Sequence, residues 1–229
     1  YGKNIGLQMH ESVMGLPITP FQKAVKSSVK ILGYELPVDL SHEFFGIPII
    51  NPFILSASPL TDGFEECKKG LEAGWAGVVM KTCFEEGPIH IPNEYMTKIN
   101  EHTFGNCDNV SCHLLEREAG EIRRLREAFP DRLIIGGTGG PLTDDEDVNR
   151  AGWQANTLKL ERAGAMAVEY SLSCPQGGDG NEGSIASQSP RMTEKIVRYI
   201  MEVSDPNIPK LFKMTSAVTS IVPIIKAVQ

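Results

Sequence analysis

The segment most informative about the fold is Leu160-Glu161-Arg162-Ala163-Gly164-Ala165-Met166-Ala167-Val168-Glu169-Tyr170-Ser171-Leu172-Ser173-Cys174. It contains the end of a helix pattern, a glycine, an apolar run and a polar end, in that order. A glycine after a helix pattern is typical of a helix C-terminus, and the apolar run is typical of a strand buried on both faces. Pro175 and the glycines beyond it end that strand. The stretch therefore predicts a helix followed by a buried strand whose carboxyl end carries hydroxyl groups and a thiol.

A shorter copy of this pattern occurs earlier, where Leu71-Glu72-Ala73-Gly74 precedes Val78-Val79. Outward from these two units, strand and helix patterns alternate. We predict strands over 52–58, 76–81, 132–137, 166–173 and 209–214, and helices over 63–73, 116–129, 144–163 and 193–203. Such alternation is typical of a parallel sheet covered by helices, either closed as a barrel or open. Two similar units spaced two strands apart favour an α/β fold of the (β/α)8 TIM barrel type.

The chain divides into a short N-terminal part and a main domain. Residues 1–40 carry no interpretable motif and are predicted to be an extension or connector, with a short helix over 22–32. Apolar runs at 42–45 and 47–50 flank Gly46 and predict a tight hairpin. Residues 41–229 are predicted to form the barrel domain. Because such a barrel needs roughly 250 residues, we expect the natural protein to continue beyond Gln229.

The composition excludes several classes of protein. The 229 residues are 41% hydrophobic and carry a formal net charge of -7 without a long basic run, which argues against a nucleic-acid or membrane-surface role. The 5 cysteines are odd in number and scattered, unlike a disulfide framework. No apolar run approaches the roughly 20 residues that span a bilayer. We expect a cytoplasmic protein that acts on a small molecule.

Polar side chains recur where the predicted strands end, and the carboxyl ends of barrel strands form the face on which barrel enzymes place their chemistry. A lysine at one strand end is usually a surface residue. Two lysines at equivalent strand ends suit an anionic ligand or an electron-rich cofactor that gains negative charge on reduction. Serine, alanine and glycine segments would let a flat ring approach the backbone. The residues at these ends are Ser56-Ala57-Ser58, Lys81-Thr82, the glycine-rich segment 136–140, Ser171 to Cys174, and Lys213-Met214-Thr215.

Two further interpretations concern thiols and metals. Cys174 is either a small buried residue that ends a strand or a reactive group that faces the ligand, and its polar surroundings favour the second. Cys107, Cys112 and His113 share one loop, but their spacing is unlike common zinc sites and lacks a fourth ligand. Residues 179–182 lack the ligand spacing of a calcium loop. We therefore predict no metal site.

Four segments at or near the predicted strand ends occur in a recognisable order. They are Asn51-Pro52-Phe53-Ile54-Leu55-Ser56-Ala57-Ser58-Pro59, Glu72-Ala73-Gly74-Trp75 with Val79-Met80-Lys81-Thr82, Ser171-Leu172-Ser173-Cys174-Pro175-Gln176, and Phe212-Lys213-Met214-Thr215. These segments resemble the FMN barrel shared by dihydropyrimidine and dihydroorotate dehydrogenases. The resemblance runs from about Phe44 to the end of the chain and is closer to the dihydropyrimidine branch.

The resemblance implies a set of cofactor contacts at the carboxyl ends of the strands. FMN would bind there, and the thiol of the Ser-Cys-Pro motif would exchange a proton with the substrate. In this chain the implied roles are Cys174 as the acid, Ser56 and Ala57 lining the flavin, Lys81 and Thr82 contacting its ring or ribityl chain, Lys213 stabilising the reduced ring edge, and Asn109 as a further flavin or substrate contact.

The same resemblance implies that Ser171, Ser173 and Gln176 lie at the substrate. Ser171 stands where the family usually has an asparagine that reads the edge of a pyrimidine, so a different ring or a water bridge would fit. Gln176 stands where vertebrate-type enzymes have histidine and is nearer to bacterial subunits. The glycine-rich segment 177–183 is the candidate lid.

The implied reaction is reduction of uracil or thymine to the 5,6-dihydropyrimidine. Oxidation of dihydroorotate is the alternative, and a catalytically inactive barrel that serves as a structural subunit is an alternative of another class. Iron-sulfur clusters, FAD and NAD(P)H are expected on further sequence or a partner subunit, because the chain has no Cys-x-x-Cys run to hold a cluster. We expect an oligomer with an electron-transfer partner.

Overall fold

A computed structural model describes residues 28–31, 34–37, 39–85, 96–106, 110–174 and 185–229. In chain order the strands are β1 (Ser28–Ile31), β2 (Tyr34–Pro37), β3 (His42–Phe44), β4 (Ile47–Ile49), β5 (Ile54–Leu55), β6 (Gly77–Val79), β7 (Met96–Asn100), β8 (Thr103–Asn106), β9 (Leu133–Thr138), β10 (Ala167–Ser171) and β11 (Lys210–Lys213). The pairs β1–β2, β3–β4 and β7–β8 form separate antiparallel hairpins.

The main sheet contains 5 strands in the order β11-β10-β9-β6-β5, and all neighbours are parallel. These strands lie side by side in the order in which the chain makes them. An open doubly wound sheet would reverse this order at a switch point, whereas a barrel continues in one direction. The predicted (β/α)8 topology is confirmed for these five strands.

Helices connect the strands and cover one face of the sheet. They are α1 (Phe64–Glu72), α2 (Leu115–Ala128), α3 (Glu146–Arg162), α4 (Pro190–Met201) and α5 (Val222–Lys226). Asp145 caps α3 by accepting hydrogen bonds from the amides of Asp147 and Val148, and Ser189 caps α4 through the amide of Met192. Within the described ranges, no helix combines the length and apolar character needed to cross a bilayer.

Alternate residues of the strands pack into two different apolar clusters. Leu55, Val78, Ile134 and Val168 pack with the helices, as does the stacked pair Tyr170 and Phe212, whose ring centroids are 5.3 Å apart. The intervening residues, among them Ile54, Val79, Ile135, Ala167 and Leu211, pack together on the opposite face with Ile49 of the hairpin. We call this opposite face the interior face, because it lies inside the curve of a barrel.

The hairpins confirm one prediction and correct two others. The β3–β4 hairpin turns at Phe45 and Gly46, whose φ angles of 49° and 80° are those of a tight two-residue hairpin turn. The helix predicted over 22–32 is wrong at residues 28–31, which form β1, and the other residues of that range lie outside the described residues. The β7–β8 hairpin was not predicted, because the polar sequence of this segment indicated a loop.

Both glycines of the repeated helix-to-strand unit adopt a left-handed conformation. Gly74 has φ 108° and Gly164 has φ 92°, so each ends a helix as predicted. An added Cβ at Gly164 would have no neighbour closer than 3.9 Å, so the left-handed conformation rather than crowding sets the cost of a side chain.

We expect Gly164→Ala to lower the free energy of unfolding by about 1–2 kcal/mol, because an L side chain is strained in this conformation. Gly120 is the matched control, since it lies inside helix α2 with open space around its Cα. Gly120→Ala should stabilise by about 0.5–1 kcal/mol. Urea unfolding followed by circular dichroism measures both, and equal effects of the same sign would contradict the prediction.

Candidate active site

Four charged or polar side chains lie on the interior face near the carboxyl ends of the strands. Lys81 shares this face with Val79, Glu169 and Ser171 share it with Ala167, and Lys213 shares it with Leu211. Lys81 is buried, with 5% of its surface exposed. The structure therefore brings the two predicted lysines to one face of one sheet, as their strand-end positions required.

Lys213 forms an ion pair on this face. Its Nζ lies 2.7 Å from Oε1 of Glu169, and the two side chains are 36% and 15% exposed. Ser171 is the register partner of Lys213 across the parallel strands β10 and β11. The ammonium group of Lys213 is thus drawn two residues back along β10, from the level of Ser171 to Glu169. Glu169 was not predicted as a site residue, although a carboxylate inside an otherwise apolar strand was the available signal.

The thiol of Cys174 lies next to Ser171. The Ser171 hydroxyl donates a hydrogen bond to Sγ of Cys174 over 3.1 Å, and the thiol is partly buried. The Ser171 side chain itself is buried. Because Ser171 ends strand β10, this hydrogen bond fixes the sulfur relative to the sheet. Ser173 is partly buried between the two residues.

The segment after β6 is anchored on both sides. The amide of Lys81 donates to the carbonyl of Thr61 over 3.1 Å, and the carbonyl of Thr82 accepts from the amide of Ser111 over 2.7 Å. The Ser111 hydroxyl donates to Oδ1 of Asp62 over 2.5 Å. Burial raises the pKa of Asp62, while its hydrogen bond to Ser111 and the nearby positive charges, including Lys81, act to lower it. Lys81 and Thr82, both nearly fully buried, are thus held between two loops.

The segment after β5 forms a short capped turn. Ser58 accepts a hydrogen bond from the amide of Leu60, and the Thr61 hydroxyl both accepts from the amide of Ser58 and donates to its carbonyl oxygen. Ser56 is exposed and Ala57 is partly buried. The turn leaves both small residues at the strand-end face, where they were predicted to line a flavin.

The glycines after β9 do not leave the room that the sequence suggested. A Cβ on Gly139 would lie 2.1 Å from the ring of Phe84, and one on Gly140 would lie 2.6 Å from the ring of Trp153. Protein side chains, rather than a flat ligand ring, fill these positions. Helix α3 also holds the segment, through hydrogen bonds from Trp153 Nε1 to Pro141 and from Asn156 Nδ2 to Gly139. These glycines are therefore required for packing.

A buried carboxyl group lies beneath this site. Glu118 of helix α2 is 3% exposed, and its Oε1 accepts a hydrogen bond from the amide of Gly137 over 2.8 Å. Among the described residues its Oε2 has no hydrogen-bond partner. Burial raises the pKa of Glu118, and hydrogen bonds with the Cys83 thiol and the Gly137 amide lower it by less. The net result is a pKa of about 8. The group is therefore largely protonated at neutral pH, which no sequence pattern had indicated.

Ser187 joins the loops that follow the last two strands. It is fully buried, its amide donates to the carbonyl of Leu172 over 3.0 Å, and its hydroxyl accepts from the amide of Thr215 over 3.0 Å. This residue was not predicted, because a lone serine outside a motif has no recognisable pattern. Asn109, Gln176 and the candidate lid 177–183 lie outside the described residues, so their predicted roles stay predictions.

The chain is similar in sequence to two groups of dehydrogenases, although no family model matches it. It is 35% identical over 188 residues to the NAD-dependent dihydropyrimidine dehydrogenase subunit PreA of Escherichia coli (79% of this chain, 43% of the relative). It is 28% identical over 192 residues to the catalytic subunit of dihydroorotate dehydrogenase B (NAD(+)) of Thermoplasma volcanium (83% of this chain, 59% of the relative). The chain therefore spans about half the length of these curated relatives.

The fold is similar to that of a solved DHODH. The crystal structure of this protein from Eimeria tenella, in complex with ferulenol, superposes with a TM-score of 0.65 at 14% sequence identity, over 96% of this chain and 62% of the other. The sequence likeness and the shared fold confirm the resemblance that the four motifs predicted. The chain is a homologue of the dihydropyrimidine and dihydroorotate dehydrogenases, and it carries five strands of their α/β barrel.

Proposed function

We propose that this barrel binds FMN at the carboxyl ends of its strands and that the whole protein reduces uracil or thymine to the 5,6-dihydropyrimidine. The observation that carries the proposal is the arrangement of Cys174, Ser171 and Lys213 on neighbouring strand ends. The 35% identity to a dihydropyrimidine dehydrogenase subunit favours this substrate class over dihydroorotate, for which the identity is 28%.

The donor set on the interior face fits FMN. An isoalloxazine ring becomes electron-rich when reduced and is stabilised by cations and hydrogen-bond donors near its polar edge. Lys81 and Lys213 supply two ammonium groups from separate strands, and Thr82 lies beside Lys81. Ser56 and Ala57 are small residues at the open end of β5, where a ring can approach the backbone. These residues would hold the cofactor.

The mechanism assigns the proton to Cys174. Bound FMN would supply the hydride that adds to one carbon of the substrate double bond. The other carbon needs a proton, and the Cys174 S–H bond breaks to provide it, leaving a thiolate that solvent reprotonates. The Ser171 hydroxyl, 3.1 Å from the sulfur, can donate to that thiolate and keep it in place. In this proposal Ser171 both orients the Cys174 thiol and contacts the substrate. Ser173 and Gln176 are the further substrate contacts.

The electrons would come from a partner. The Escherichia coli relative is named as a subunit and the Thermoplasma volcanium relative as a catalytic subunit, which supports an assembly with an electron-transfer protein. We propose that iron-sulfur clusters, FAD and the NAD(P)H site lie there or on further sequence of this protein.

The proposal is tested by the oxidative half-reaction of the full-length protein. The flavin is reduced without oxygen, and its reoxidation is followed after mixing with uracil, thymine or orotate. Rapid reoxidation by uracil or thymine supports the proposal. Reoxidation by orotate alone would show a dihydroorotate-type enzyme, and flavin that none of the three reoxidises would contradict pyrimidine reduction altogether.

The Lys213–Glu169 pair makes a separate prediction about the flavin. Lys213→Met removes a positive charge and should lower the midpoint potential of the bound flavin, because the reduced ring loses a stabilising cation. Glu169→Gln removes the carboxylate 2.7 Å from the same ammonium group and should raise the potential. Spectroelectrochemical titration of both variants measures the shifts. Shifts of the same sign, or no shift in either variant, would contradict an electrostatic effect of this pair on the flavin.

A further inference from the structure

Asp62, Cys112 and His113 form a cluster of potential metal ligands at the edge of the strand-end face. One ligand atom from each side chain lies within 4.8 Å of the other two, and all three side chains are accessible from solvent. Asp62 follows the turn after β5, whereas Cys112 and His113 precede helix α2, some 50 residues later. Sequence spacing therefore could not bring the three together, and the loop containing the Cys–His pair alone had predicted no metal site.

We propose that this cluster binds one Zn²⁺ ion, with a carboxylate oxygen of Asp62, Sγ of Cys112 and an imidazole nitrogen of His113 as ligands and water in the fourth position. Three protein ligands with an open fourth position are a common zinc arrangement. The ligands lie in the segments that follow β5 and precede α2, whereas Cys174 follows β10, and the proposal does not depend on the proposed reaction.

The geometry allows tetrahedral coordination after small side-chain movements. Zinc bonds of about 2.0–2.3 Å place tetrahedral ligand atoms roughly 3.5 Å apart. The three ligand atoms here already lie within 4.8 Å of one another, so a contraction of about 1 Å suffices. Side chains at a partly exposed position reach this by rotation about χ angles, without movement of the strands.

Ser111 fixes both segments that supply the ligands. Its hydroxyl donates to Oδ1 of Asp62 over 2.5 Å and accepts from the amide of His113 over 3.1 Å. Its own amide is bonded to Thr82 at the end of β6, over 2.7 Å. A hydrogen bond to a ligating carboxylate is the usual support of a metal site and orients the ligand before the ion arrives. The serine thus joins two loops into one site.

The donor atoms and charges select zinc over harder ions. Calcium and magnesium need six or more oxygen ligands, or several retained waters, whereas sulfur and imidazole nitrogen suit zinc. Lys81 and Arg117 place positive charge near Asp62. This charge disfavours binding of a divalent cation by the Asp62 carboxylate alone. A thiolate and a carboxylate together neutralise Zn²⁺, so the bound site carries no net charge next to these cations.

The test is a metal titration of the chelator-treated protein in a Cys174→Ala background, so that this thiol contributes nothing. Co²⁺ is the spectroscopic probe. We expect one equivalent to give tetrahedral visible bands with a thiolate charge-transfer band, and one equivalent of Zn²⁺ to abolish both and raise the melting temperature. Binding to the unfolded chain would lower that temperature instead.

Ligand variants decide the assignment. Cys112→Ser should remove the charge-transfer band. Cys112→Ser and His113→Gln each remove one ligand, so each should weaken Zn²⁺ binding by at least about 10-fold. His42→Gln is the matched control, because His42 is exposed on the β3–β4 hairpin. Near-ultraviolet circular dichroism confirms that each variant is folded. Unchanged affinity in both ligand variants, or no stoichiometric binding by the parent protein, would overturn the proposal.

Discussion

Replacing Cys174 with alanine is expected to slow reoxidation of the reduced flavin by uracil or thymine by about 10²–10⁴-fold, the usual contribution of a positioned acid. The reason is chemical rather than structural. Hydride transfer to one carbon of the double bond requires a proton at the other carbon, and in the proposed mechanism the Cys174 thiol, which is hydrogen-bonded to Ser171, supplies that proton. Stopped-flow spectroscopy of the full-length protein, without oxygen, measures the rate directly.

The reductive half-reaction is the internal control for this prediction. Reduction of the flavin by an electron donor needs no proton from Cys174, so its rate and the flavin content should stay the same in the alanine variant. Cys174→Ser keeps a protic group at the same position but a weaker acid, and its rate should fall between those of wild type and alanine. A Cys174→Ala protein that reduces uracil at the wild-type rate would remove the thiol from the mechanism.

The second large effect is expected on stability. Glu118 has an ordinary pKa of 4.5 that rises to about 8 in the folded protein. Between these values the folded state holds a proton that the unfolded state has released, so stability falls as pH rises from about 4.5 through about 8. The whole loss corresponds to roughly 5 kcal/mol at most. Glu118→Gln keeps the acceptor for the Gly137 amide without the ionisable group, so it should abolish this contribution.

Thermal unfolding at pH 5 and pH 9 measures the effect. The two proteins should melt at similar temperatures at pH 5, and the glutamine variant should melt higher by roughly 10 °C at pH 9, at about 2–4 °C for each kcal/mol. Glu127→Gln is the matched control, because Glu127 is exposed on the same helix. If the difference between wild type and Glu118→Gln is the same at both pH values, then Glu118 does not carry a raised pKa.

Much of the fold follows from local patterns in the sequence. The five sheet strands and four of the helices lie where apolar runs and turn residues predicted them, with strand ends shifted by a few residues. The largest shift is at β5, where seven predicted residues, 52–58, reduce to Ile54–Leu55. Strand limits depend on hydrogen bonds to a neighbouring strand, and those bonds are not encoded in the segment itself.

In the candidate site, too, some features could be predicted from the sequence and others could not. The strand-end positions of Cys174, Lys81 and Lys213 could be predicted because each lies at or just after an apolar strand pattern, and parallel strands bring their carboxyl ends to one face. The partners of these residues could not be predicted. Glu169 faces Lys213 only because strands β10 and β11 pair in one particular register. A shift of one residue would have turned the carboxylate toward the helices.

Local sequence patterns specify where the buried strands lie along the chain, the polar character of their carboxyl ends and the motifs that resemble those of the dehydrogenases. Those properties are local, since hydrophobic periodicity and glycine positions act within one element. Packing in three dimensions, by contrast, buries Glu118 beneath Gly137 and brings Asp62 to Cys112 and His113. Both depend on contacts between distant segments, because burial and proximity are set by packing and not by spacing along the chain.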